Sequence, residues 1–141
     1  MIQMVTDRTE ADVILGNAKG VYNYTDLNRV ESAVAELFEL ANELGLNFTS
    51  AVKTDWGIPG YFYQANWPRV SQMERYLSNV RVLADAFSVS RLSLPKTMSD
   101  LSYRGANAIE KCLENVYTAI QGTTENYRYS GEIYAGEEFC L

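Results

Sequence analysis

Apolar residues recur at helical spacing in three stretches of the chain. Leu27, Val30, Val34, Leu37, Phe38, Ala41 and Leu44 form one stripe, and Met73, Tyr76, Leu77, Val80, Leu83, Ala84 and Phe87 form a second. Ile109, Leu113, Val116, Tyr117 and Ile120 form a third, and a 3.6-residue period of this kind predicts three amphipathic α-helices. Thr25 is placed to cap the first, Asp26 to complement its dipole and Gly45 to end it. Pro68 suits the opening turn of the second, which should run to Phe87, and Ser99 or Ser102 suits the cap of the third, which should close at Gly122. A shorter segment, Thr9 to Leu15, has acidic residues early and Gly16 at its end, and reads as a brief helix serving as a lid or arm.

Three apolar stripes need a common core, so the expected fold is all-α: a compact antiparallel three-helix bundle, residues 1–122. The stretch from Leu46 to Pro68 breaks the helical pattern with two prolines, two glycines and six aromatics, and reads as a long aromatic inter-helix loop. Ser88 to Met98, interrupted by Pro95, reads as an extended linker or edge segment. Residues 123–141 alternate aromatic residues with glycine and are expected to form an extended or hairpin C-terminal arm.

Composition narrows the function. A chain of 141 residues with a net charge of −6 does not supply the Lys and Arg that phosphate neutralisation demands, which excludes nucleic acid as a partner. Histidine is absent, which removes the usual neutral-pH general base and every Ser–His or Cys–His pair. Cys112 and Cys140 lack metal-ligand spacing, and neither a phosphate loop nor a nucleotide fingerprint occurs, so no cofactor is expected. No apolar run is long enough to insert in a membrane, and Met1 to Asp7 does not read as a secretory leader; synthesis in the cytoplasm is expected.

Four groups of residues invite a functional reading. Asn28-Arg-Val-Glu31 is echoed by Asn107-Ala-Ile-Glu110. Asn and Glu three apart share a helix face and can bond loop backbone or a neighbouring helix, so they fix register as a structural polar network, or else they are exposed faces that coincide by chance. Trp56, Tyr61, Phe62, Tyr63 and Trp67 either fold inward over the helices, bind a protein partner or stack on carbohydrate. Tyr127, Tyr129, Ile133, Tyr134 and Phe139 equip the arm to lie on a neighbouring surface. Asp55 paired with Glu74 or Glu31 would make a glycosidase-like acid and base, although solvated surface charge explains these carboxylates more simply.

The chain resembles a family of short proteins encoded among the late structural, tail-region genes of tailed phages and prophages of Gram-positive bacteria. Val5 to Asp12, Gly20 to Glu31, Lys53-Thr-Asp-Trp56, Met73 to Val80 and Ala106 to Glu110 carry the resemblance. It departs at Gly105, where relatives are more often acidic, and at Gly57 to Trp67, which is longer and more aromatic. The resemblance implies a non-enzymatic virion component of the tail, its tip or its fibres, bound to other virion proteins as a homo-oligomer. Host cell-wall carbohydrate is the alternative ligand.

Overall fold

The computed structural model describes residues 1–57 and 68–134, with side chains placed through residue 123. The described residues are all helix and connection: α1 (Glu10–Leu15), α2 (Tyr24–Glu43), α3 (Val70–Ala86), a 3-10 turn (Met98–Asp100) and α4 (Tyr103–Tyr134). The expected all-α class is what the chain adopts.

Helix ends follow local hydrogen-bond chemistry, with some shifts from the expected residues. α1 opens on Thr9, whose hydroxyl accepts from the Asp12 amide while Asp12 bonds back to Thr9, and closes on Gly16 in the left-handed region at φ 64°. α2 is capped by Asn23 and not Thr25: Asn23 and Asp26 form the reciprocal box, leaving Thr25 inside the first turn. α3 starts at Val70, so Pro68 lies before the cap. Ser102 caps α4, its hydroxyl accepting from the Gly105 amide at 3.2 Å. Gly122 does not end α4, which continues to Tyr134. One interior glycine costs a helix only about 1 kcal/mol, too little to stop one already nucleated. The expected extended or hairpin arm is thereby corrected for residues 123–134, including Tyr127, Tyr129, Ile133 and Tyr134. Phe139 lies outside the described residues.

Each of the three long helices packs on the other two. Val30, Val34, Leu37 and Ala41 of α2, Tyr76, Val80 and Leu83 of α3, and Ile109, Leu113, Val116 and Ile120 of α4 are all buried, and Phe87 packs partly buried at the foot of α3. The four positions on each helix repeat one 4–3–4 spacing, the seam of a coiled coil, and each large side chain contributes about 1.5–3 kcal/mol of transfer free energy.

The helices run in the same direction, not antiparallel as expected. Arg8 joins Asp26 of α2 to Glu110 of α4, while Met1 reaches Glu36 of α2 and shares a hollow with Glu114 and Tyr117 of α4. Numbering therefore rises the same way along α2 and α4. Trp56 meets Asn28 and Phe48 meets Asn42 on α2; the intervening Ala51 meets Arg75 and Asn79 on α3, and Arg75 also reaches down to Glu31 beside Trp56, so α3 rises in the same sense. Parallel neighbours demand long return connections. Residues 46–56 and 87–101 supply them as straps running back along the helices, and residues 1–8, ahead of α1, lie along α2 and α4 as a further strap of the same sense.

Candidate functional site

Two of the straps end in buried polar clamps of one design. In the first, the Asn107 side chain accepts from the Arg8 amide at 3.0 Å and donates to the Arg8 carbonyl at 2.9 Å. One turn on, Glu110 is fully buried and accepts from Arg8 at 2.6 Å, from the Val5 amide at 3.0 Å, and from Arg29 of α2 at 2.6 and 2.9 Å. In the second, Asn28 accepts from the Trp56 amide at 2.7 Å and donates to its carbonyl at 2.9 Å. Glu31, also buried, accepts from the Trp56 indole at 2.6 Å and from Arg75 of α3 at 2.6 and 2.9 Å. The physical reason for the residue types is simple: an asparagine amide matches both polar groups of one strap residue, and a carboxylate three residues later takes that residue's side chain plus a bidentate arginine.

The strap sequences repeat as well. Thr6-Asp7-Arg8 and Thr54-Asp55-Trp56 are followed by Ser99-Asp100-Leu101 at the end of the third strap. Leu101 lies against Gly105, the position in α4 that corresponds to Asp26 in α2. Leu77 stands where the clamps have glutamate, Ala108 where they have arginine, and the exposed Glu74 where they have asparagine. The molecule thus holds three stations of one plan, two polar and one apolar.

Charge balance explains the variation. Arg8 brings a second cation to the first station, and Asp26 balances it at 3.2 Å from Arg8 and 2.5 Å from Arg29. Trp56 brings none, and the matching position in α3 is the neutral Gln72. The bond from Glu110, followed by the one from Asp26, holds the Arg29 guanidinium well above its ordinary pKa; Glu31 raises Arg75 in the same way. The Arg8 guanidinium lies 5.5 Å over the Tyr22 ring, and its Nε is buried without a hydrogen-bond partner. Tyr22 and Tyr76 bond through their hydroxyls, and burial pushes both phenols upward.

Of the aromatic group, Trp56 is fully buried, the inward-folded alternative, which leaves it no surface for a partner or a sugar. Tyr61, Phe62, Tyr63 and Trp67 fall outside the described residues. Glu31 has both oxygens occupied and is unavailable as an acid or base. Asp55 is exposed, paired with Lys53 at 2.7 Å, and the Lys53 bond lowers its pKa, which disfavours a general-acid role. Among the described residues no group of three or more acidic, cysteine or histidine side chains is placed to hold a metal, and no helix is long and apolar enough to cross a membrane.

Sequence reasoning gives no role to Arg8, Arg29 and Arg75, and reads Asp26 only as a complement to the helix dipole. An arginine two positions before Glu31, and the Thr-Asp-x repeat, were the signals available. Comparison with protein-family models, curated proteins and solved structures gives no match.

Proposed function

We propose that the protein is a non-enzymatic structural and assembly module of a tailed-phage virion, associated with the tail, its tip or its fibres, and bound there to other virion proteins and to copies of itself. One observation carries this reading. The segments that give the chain its resemblance to phage tail-region proteins, Val5–Asp12, Gly20–Glu31, Lys53–Trp56, Met73–Val80 and Ala106–Glu110, contain every residue of the two polar clamps. What such a family would share is then a scaffold whose polar groups are consumed by the fold, as expected of an assembly part and not of a catalyst.

Contact surface is available in the right form. Ile14, Leu15, Val70 and Leu92 are 78%, 76%, 77% and 94% exposed, and α1 buries none of its residues although its turn is fixed by the Asp12–Asn17 and Asn17–Gly20 bonds. Rigid, exposed apolar residues are suited to a protein interface. The carbohydrate alternative loses Trp56 and is the weaker reading.

The test is direct: antibody raised against the chain is used to probe gradient-purified particles induced from the strain carrying the gene. Co-purification at a fixed stoichiometry is expected. Particles of full infectivity that lack the chain would overturn the proposal.

A further inference from the structure

The first two straps are followed, before the next long helix, by a long connection: residues 9–23, which include α1, after Arg8 and 57–69 after Trp56. After Leu101 only Ser102 intervenes before α4. Beside this third station lies a groove of about 490 Å³ with an apolar floor of Leu27, Met73, Leu77 and Leu101. Arg69, Arg81 and Lys96 stand around it against a single acidic residue, Glu74, in a chain whose net charge is −6.

We propose that this groove receives the segment Ala135-Gly-Glu-Glu-Phe-Cys-Leu141 of a second copy, linking copies head to tail. The inference rests on the assembly reading above and names the two surfaces involved. Glu137 and Glu138 match the basic rim, and Phe139 and Leu141 match the floor. The occupant comes from another copy for reasons of length. Leu101 sits at the start of α4, and the 32 residues of that helix carry the chain about 48 Å away. Phe139 is five residues past Tyr134 and reaches back at most about 18 Å, so it cannot enter its own groove. Using one end of a molecule to fill the other makes a heterologous contact, which propagates into a ring or a filament.

The experiment is light scattering of the full chain in reducing buffer, which prevents cross-linking through Cys140. The unmodified chain is expected to associate with rising concentration, and the association should weaken at least tenfold between 50 and 500 mM salt as the ion pairs are screened. Arg69→Glu/Lys96→Glu and Glu137→Lys/Glu138→Lys change exposed or tail positions, and each variant is expected to be monomeric. Mixed in equal amounts they should form dimers and nothing larger, because only one intact groove and one intact tail remain per pair. If both variants associate like the unmodified chain, the groove is not the receptor, while the assembly reading survives. A chain that is monomeric at every concentration also overturns head-to-tail linkage, and leaves the assembly reading to the particle experiment. Salt-insensitive association would equally count against a basic groove as the receptor.

Discussion

The Arg8 and Trp56 stations solve one problem with different chemistry. Both must hold an extended strap against two helices, and both use an asparagine on the strap backbone and a buried glutamate on the strap side chain. Where the strap supplies a cation the station adds Asp26; where it supplies an indole it does not. The third station drops the buried ionic set together, with Leu101, Leu77, Gly105 and Ala108, and keeps only an exposed Glu74 at the asparagine position. The difference teaches that the polar groups are kept or lost as a neutral unit, because any one removed alone strands a buried charge.

The largest effect should come from breaking the first station. Glu110→Ala leaves Arg8 and Arg29 without their main acceptor and should cost about 3–5 kcal/mol in urea unfolding. Glu31→Ala should cost less, about 2–3 kcal/mol, because the Arg75 side chain is 24% exposed and can turn to water; equal losses would refute the ranking. Converting the station to an apolar one, Asp26 included because Arg8 and Arg29 are its ion-pair partners, sharpens the point: Arg8→Leu/Asp26→Ala/Arg29→Ala/Glu110→Leu should be more stable than Glu110→Ala, despite carrying three further changes.

Removing the backbone clamps is a smaller perturbation. Asn28→Ala and Asn107→Ala should each cost about 2 kcal/mol, and amide exchange should accelerate at Trp56 in the first and at Arg8 in the second. Exchange that accelerates everywhere would mean the straps have no local stability of their own.

Two measurements away from the stations set the scale. Burial, followed by the nearby Asp85, pushes the Cys112 thiol from 9.0 up to about 11. The folded state thus favours the protonated thiol, and that stability is complete below pH 9 and lost as pH rises from 9 through 11. The loss should be about 1 kcal/mol by urea midpoint, and absent in Cys112→Ala. Ser88 ends α3 with φ 55°, so Ser88→Gly should stabilise by about 0.5–1 kcal/mol in thermal unfolding.

The stripes at Val30, Tyr76 and Ile109 were legible because burial of a helix face imposes its period on the sequence. The Asn28–Glu31 and Asn107–Glu110 echo was legible for the same reason: one geometric task was solved twice with the same residues. Helix direction was not. Short loops make antiparallel neighbours, so the long connections after Glu43 and Ala86 were the physical signal for parallel ones. The helix beyond Gly122 was missed because propensity alone cannot outweigh the cooperativity of a helix already propagating. Arg8 and Arg75 were not legible, since an ion pair across 102 or 44 residues leaves no local pattern.

Parallel packing also makes the molecule an electric dipole. Antiparallel helices cancel their peptide moments, whereas α2, α3 and α4 add theirs to on the order of 200 debye. Asp26, Glu31 and Glu110 lie toward the positive pole, and neither α2 nor α3 has a basic residue in its last turn to quench the negative one. In an orienting field, whether applied in a birefringence cell or supplied by a neighbouring copy, such a molecule turns end-on before any side chain touches.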